Sequence, residues 1–236
     1  MTGFESDRLP FPGLREAPVR IAPGLWSSLP PDQQTAPNDR HAAGYDMLIG
    51  SPLYHRPAWG AWPSCHAAAA RDAMAGAQAG PILDCGCGSL LFTADIYRTL
   101  PTARITFLDR SLAMLRRGQR RRPDDHFLQG SALDLPFRDG TFSQVLCWGT
   151  LHVLGTPSGL IAELRRVAMP GGRVALSTLV RGDRWLGEYM LGMLHRKGEL
   201  AAPETEAAVT DAFTGHFEFA SSRRIGNFLF LTGFTR

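Results

Sequence analysis

From residue 80 onward, apolar and polar positions switch between two periods. Ile82-Leu83-Asp84-Cys85 is an apolar run of strand length that ends in a glycine turn. Short runs of this kind, bounded by turn signals, read as buried strands. ITFLD, a strand held with a loop in DHFLQGSALDLPF, TFSQVLCWG and RVALSTLV repeat the pattern. Between them, LLFTADIYRTL, SLAMLRRGQRRR and GLIAELRRVAM carry helical spacing, the first stopped by Pro101 and the last by Pro170-Gly171-Gly172. Strands alternating with helices at this interval predict βαβ units and a parallel sheet. The alternation then changes. WLGEYMLGMLHRKGEL and PETEAAVTDAF read as helices, and FEFASSRRI and NFLFLTGFTR as strands paired through a turn near Gly226-Asn227. The expected fold class is α/β: a three-layer sandwich on a mostly parallel sheet, closed by a C-terminal antiparallel hairpin.

Upstream the pattern is weaker. Residues 1–38 hold seven prolines, which bar helix interiors and central strands. An extended tail or a flap over a site is expected there, with the main domain over residues 39–236. Residues 40–60 suggest helical turns broken at Pro52 and Pro57. Residues 64–79 suggest an alanine-rich helix capped by Ser64. Segments 40–60 and 181–216 are the expected lid elements.

Composition narrows the class. A chain of 236 residues with 44% hydrophobic content can bury a sizeable core. A net charge of +3 is too weak to suggest a nucleic-acid partner. Four cysteines in this length do not make a disulfide scaffold. No apolar run nears the roughly 20 residues of a membrane span, and the first residues lack a signal peptide's apolar core. A cytoplasmic monomer or homodimer, with no membrane partner, is expected. Cys85-x-Cys87 looks like half a metal site, but no second ligand pair stands at the right spacing, so no metal is expected. The arginines at 116, 117, 120, 121 and 122 read as a solvated helix end.

The chemistry gathers at the strand ends. In Asp84-Cys85-Gly86-Cys87-Gly88, the glycines permit a tight turn into the next segment and let a ligand lie against the backbone. The dinucleotide pattern would need a third glycine at 91, where Leu91 stands. Asp109 ends the next strand, where a carboxylate can take both hydroxyls of a ribose. Ser131 and the Ala132 backbone, in the loop GSALDLPF, suit an adenine edge. A nucleotide-dependent oxidoreductase and a non-catalytic binding protein stay open at this level.

Taken in order, ILDCGCGS, ITFLDRSLAMLRR, FLQGSALDLPFRDGTFSQVLCWGTLHVL and ELRRVAMPGGRVALST resemble the class I S-adenosylmethionine-dependent methyltransferases, in particular the small-molecule, quinone-biosynthesis-like branch. The resemblance spans roughly residues 80–180. It implies a Rossmann-like fold, S-adenosyl-L-methionine as cofactor and a small, partly apolar methyl acceptor. It places Gly86 and Gly88 against the methionine part, with Asp84 organising the turn or contacting the amino group through water, and Asp109 on the ribose. Arg110 and Met114 would flank the adenine, and Ser131, Ala132 and Leu133 would line its edge. Trp148 would sit under the methionine moiety, and Tyr45 would close over the cofactor. His152 is the candidate general base, with His41, His55, His66 and His195 as alternatives. Two departures stand out. Leu90 occupies the family's third glycine and would lean toward the cofactor. Ser131 replaces the usual aspartate.

Overall fold

The computed structural model describes residues 9–35, 39, 42–75, 79–101, 104–155 and 157–236, without the side chains of residues 42, 43 and 45. A nine-stranded sheet runs through it. In chain order the strands are β1 (Val19–Ala22), β2 (Leu25–Ser27), β3 (Ile82–Cys85), β4 (Ile105–Asp109), β5 (Phe127–Gln129), β6 (Phe142–Trp148), β7 (Ala168–Leu179), β8 (Glu218–Ile225) and β9 (Phe228–Phe234). Their spatial order is β1-β2-β5-β4-β3-β6-β7-β9-β8. From β2 to β7 every neighbouring pair is parallel. The hairpin β8–β9 adds antiparallel to β7, as expected from the sequence. From β3 the chain moves to β4 on one side and later to β6 on the other. That reversal opens the crevice at the strand C-termini where ligands of open α/β sheets bind.

The helices are α1 (Ala42–Ile49), α2 (Pro52–Trp59), α3 (Ser64–Ala75), α4 (Ala94–Tyr97), α5 (Leu112–Arg121), α6 (Leu151–Leu154), α7 (Pro157–Val167), α8 (Trp185–Arg196) and α9 (Glu206–Thr214). They fall on both faces of the sheet because successive strand residues point to opposite sides. Leu83 and Cys85 join Leu160, Ile161, Leu164 and Phe213 from α7 and α9 in one core. Ile82 joins Ala73, Ala94, Tyr97 and Leu115 from α3, α4 and α5 in the other. Over the C-terminal hairpin, Trp59 of α2 and Leu191 of α8 pack with Phe228 and Phe230. The two expected lid segments therefore meet each other, and the Arg184 guanidinium donates to the Pro57 carbonyl at 3.0 Å.

Four expectations change. The proline-rich start is not only a tail: β1 and β2 turn at Pro23-Gly24 and extend the sheet beside β5. The prolines sit outside these strands or in their turn, which leaves the ladder donors intact. After the glycine turn, only Ala94–Tyr97 is α-helix, because the chain spends residues 89–93 in turns. The third helix ends at Val167, and Pro170-Gly171-Gly172 bulge out within β7 instead of preceding it. The Gly172 N–H and the Met169 carbonyl both bond to the Thr235 hydroxyl, which pins the bulge. Finally, Pro57 lies inside α2 without breaking it.

Candidate functional site

The glycine turn is built by backbone. The N–H groups of Gly86 and Cys87 donate to the Leu108 carbonyl at 2.8 and 3.0 Å, tying the end of β3 to β4. Gly86 (φ +72°) and Gly88 (φ +55°) are both left-handed. They do different things. A Cβ on Gly86 would strike the Thr150 hydroxyl, so this glycine serves close packing. A Cβ on Gly88 would meet nothing within 4 Å, so its open face is the one a ligand can reach.

Leu90 shares the left-handed backbone (φ +59°), which explains why a glycine would suit the position. Its side chain does not lean toward a cofactor. It is 1% exposed and packs with Leu115, Phe107 and Phe127. The left-handed turn aims Cβ into the core, which corrects the expectation from the sequence.

Asp109 stands at the tip of β4 and closes the turn. One oxygen accepts from the Gly88 N–H and the other from the Ser111 N–H, each at 2.8 Å. Burial raises its pKa against these two bonds, which pull the other way. Each oxygen keeps a lone pair for a further donor. Arg110 follows, half-buried, and its carbonyl accepts from Gln129 Nε2 at 2.9 Å. Met114 lines the first turn of α5, where the Ser111 hydroxyl caps its N–H at 3.1 Å. The Gly130 N–H donates to the Asp109 carbonyl, so the next loop lies against this tip. In it, Ser131 and Ala132 are partly buried and Leu133 is exposed, with its N–H on the Ser131 hydroxyl at 3.2 Å. The structure thus brings Gly88, Asp109, Arg110, Met114 and Ser131 to Leu133 together on one side of the switch point.

Asp84 and Trp148 form a second group beneath. Asp84 is fully buried, and neither oxygen has a hydrogen-bond partner among the described residues. The Tyr97 hydroxyl is close enough to restrain its pKa, but burial prevails, with nearby Asp109 adding to it, and raises the acid to about 7. Trp148 Nε1 donates to the same Tyr97 hydroxyl at 3.0 Å. Its ring also borders a cavity of about 110 Å³ between α3, β7, β8 and β9.

His152 takes an unexpected role. Its Nδ1 accepts the Leu179 N–H at 3.1 Å. The neutral ring therefore carries its proton on Nε2, and burial lowers its pKa to about 4. With Nδ1 accepting and Nε2 protonated, the neutral imidazole has no free lone pair with which to take a proton. That is a correction to its expected role as general base. Of the alternatives, His195 is exposed, while His55 and His66 are buried together. His41 and the Tyr45 side chain lie outside the described residues.

Several contributors have no motif of their own. Asp46 of α1 accepts from the Ser89 hydroxyl at 2.6 Å, Arg121 at 2.8 Å and Arg117 at 3.1 Å. Burial works against the ionised form, yet these three donors hold its pKa below the ordinary value. This clamp ties α1 to the glycine turn, and two of the arginines expected in solvent are spent on it. Gln129, fully buried, joins Ser27, Gln34 and Arg110 at 2.9, 2.6 and 2.9 Å. Its only signal is an uncharged polar residue at the end of an apolar strand. Among the described residues no group of side chains is arranged to hold a metal ion, and no described helix is long and apolar enough to cross a membrane.

Residues 83–176 match a family model described as a methyltransferase domain. The chain is 41% identical over 73 residues to a demethylmenaquinone methyltransferase of Renibacterium salmoninarum, covering 31% of each protein. It is 38% identical over 105 residues to a malonyl-[acyl-carrier protein] O-methyltransferase of Erwinia pyrifoliae, covering 43% of this chain and 38% of that one. The matches thus span well under half the length of these curated relatives. A solved geranyl diphosphate C-methyltransferase of Streptomyces coelicolor A3(2), in complex with Mg2+, geranyl diphosphate and S-adenosyl-L-homocysteine, shares the fold. Its TM-score is 0.61 at 18% identity, over 86% of this chain and 89% of that one. Residues 83–176 are thus similar to a methyltransferase domain, and the sheet around them has the fold of a solved methyltransferase.

Proposed function

We propose that the chain transfers a methyl group from S-adenosylmethionine to a small, partly apolar molecule, by in-line displacement at the sulfonium methyl. The observation that carries this reading is the open Gly88 face set against the Asp109 carboxylate, inside the matched methyltransferase domain. The cofactor supplies an already activated methyl group, so the protein's task is mainly alignment.

The residues fit that task. Asp109, with two N–H donors already in place, offers its remaining lone pairs to the ribose hydroxyls. Arg110 and Met114 flank the adenine, and Ser131, Ala132 and Leu133 line its edge. Gly86 and Gly88 admit the methionine part. Asp84, buried at the end of β3, organises the turn or meets the cofactor's amino group through water. Trp148, fixed by Tyr97, floors that end. His152 presents its Nε2–H toward the acceptor. The acceptor enters between residues 40–60 and 181–216, whose helices α2 and α8 pack on each other.

Titration calorimetry on the full chain tests the reading. S-adenosylmethionine and S-adenosylhomocysteine are expected to bind, and NADH is not. Binding of NADH without either sulfur compound would overturn it.

A further inference from the structure

The cavity beside Trp148 takes no part in the roles assigned above. It lies between α3 and the strands β7, β8 and β9, and its volume is about 110 Å³. Residues paired across neighbouring strands point to one face of a sheet. The register pairs Thr232 of β9 with Ser221 of β8, and Phe230 with Arg223. These four side chains therefore share the face under α3, and all four residues line the cavity. Cys65 and Ala69 of α3 supply the opposite wall. The mouth opens along β8, the last strand of the sheet, where Ser221 and Arg223 are exposed.

Two arginines line this space, and neither has an ion-pair partner among the described residues. Arg173 of β7 donates to the Ala73 carbonyl at 3.0 Å and to the Asp72 carbonyl at 3.4 Å, which ties its head to the last turn of α3. Arg223 makes no hydrogen bond to any described residue. Its neighbour Arg224, on the other face of β8, is fully engaged. It donates to Glu206 at 3.1 Å and to the Arg181 carbonyl at 3.2 Å. Asp72 also lines the cavity, so two cations against one carboxylate leave a single positive charge. Burial pushes the Cys65 thiol up to about 11, so it stays neutral and does not cancel that charge. Phe230, Leu176 and Trp148 give the rest of the lining an apolar character.

We propose that this cavity is a second ligand site, which takes a short-chain monocarboxylate. The carboxylate lies at the mouth, on the free guanidinium fork of Arg223 and the hydroxyls of Ser221 and Thr232. A guanidinium matches a carboxylate in a bidentate pair. The hydrocarbon body lies on Phe230 and Ala69 and reaches the Trp148 ring. A single net positive charge suits a monoanion better than a phosphate dianion. Volume sets the chain length: an apolar cavity of about 150 Å³ takes up benzene, so one of about 110 Å³ suits a body of about four carbon atoms. The site does not rest on the methyl-transfer reading. Of the described residues assigned to the donor side, Trp148 alone borders the cavity.

Saturation-transfer NMR on the full chain tests the site, with butyrate, butanamide and inorganic phosphate as probes. Butyrate should bind about tenfold more tightly than butanamide, as expected for hydrogen bonds between charged groups. Phosphate at the same concentration should not displace it, and neither should saturating S-adenosylhomocysteine. Arg223→Gln should remove the preference for butyrate over butanamide. Ala69→Leu, which fills the cavity from α3, should weaken both probes about tenfold or more. Arg223 is exposed, so its variant decides the outcome even where Ala69→Leu fails to fold. Absence of butyrate binding, equal affinity for butyrate and butanamide, or an unchanged preference in Arg223→Gln would overturn the proposal. Displacement by phosphate would reveal a general anion surface, and displacement by S-adenosylhomocysteine would put butyrate in the crevice. Either result overturns the proposal as well.

Discussion

The two sides of the crevice are made from different materials. The side proposed to hold the methyl donor is backbone and short range. Its glycine turn, its carboxylate and its adenine-edge loop follow one another along residues 84–133, and each hangs on a strand end. Its hydrogen bonds run mostly from N–H groups to Asp109 or to carbonyls. The other side is side chain and long range. His55, His66, Phe92, His152 and Phe228 come from five separate stretches and meet only once the sheet has formed. A site made of backbone binds what many relatives share. A site assembled from scattered side chains is free to differ in what it accepts.

The largest expected effect comes from breaking the donor side at its hub. Asp109→Ala leaves the Gly88 and Ser111 N–H groups without acceptors, at about 1–3 kcal/mol for each that stays buried. Stability and affinity should fall together, with S-adenosylhomocysteine binding weakened tenfold or more. Chemical denaturation and calorimetry read the two losses. Unchanged affinity in a folded variant would remove Asp109 from the ribose. Asp46→Ala should cost less, about 1–3 kcal/mol. Arg117 and Arg121 are 22% and 31% exposed and can turn to water, which leaves Ser89 as the main orphan. If butyrate binds the Asp46→Ala protein normally while cofactor affinity drops, the clamp serves the donor side.

The same contrast explains what was legible in the sequence. The order of strands β3 to β9, their parallel pairing and the closing hairpin follow from apolar runs separated by turn residues. The donor constellation follows from motif spacing, because backbone turns demand glycine, and strand tips place carboxylates predictably. The N-terminal hairpin was masked by its prolines, although Pro23-Gly24 between VRIA and LWS marks its turn. Leu90 defeated a one-dimensional reading because φ, not residue type, decides where its side chain points. His152 stands where the pattern puts it, but its tautomer depends on an N–H of Leu179, 27 residues away. Asp46 and Gln129 act through partners as far as 75 and 102 residues away, and no local period records such contacts.

Acid titration should separate the two sides by sign. Burial lowers His152 to about 4 and His66 to about 3, against about 6.5 in the unfolded chain. Between pH 4.5 and 6.5 the unfolded state therefore binds more protons at these rings, and stability falls as pH falls. Asp84 does the opposite. Folded, it keeps its proton up to about 7, whereas unfolded it ionises near 3.9. Over the same window the folded state binds the extra proton there, and stability falls as pH rises. Each group contributes a slope of about 1.4 kcal/mol per pH unit at most. Asp84→Asn should make the loss of stability toward acid steeper by up to that slope, and His152→Gln should make it shallower. Denaturation midpoints at several pH values between 4.5 and 6.5 measure both. Parallel profiles for the wild type and the two variants would rule out the opposed contributions.

The smallest difference, about 1 kcal/mol between two variants of Leu90, is the sharpest test of the turn itself. Leu90 combines a cost and a gain. A left-handed backbone at a residue with a Cβ costs about 1–2 kcal/mol, while burying a leucine side chain contributes about 1.5–3 kcal/mol. Leu90→Ala keeps the cost and gives up most of the gain, so it should destabilise by about 2–5 kcal/mol, as core truncations do. Leu90→Gly gives up the gain but also removes the strain. It should therefore be the more stable of the two variants by about 1 kcal/mol, although glycine is the smaller residue. At an ordinary buried position the order is reversed. Because the Leu90 side chain points into the core and the open face belongs to Gly88, both folded variants should bind S-adenosylhomocysteine with the affinity of the wild type. A glycine variant less stable than the alanine variant would show that the turn relaxes out of the left-handed region. A glycine variant that binds markedly more tightly would show that Leu90 crowds the donor side after all.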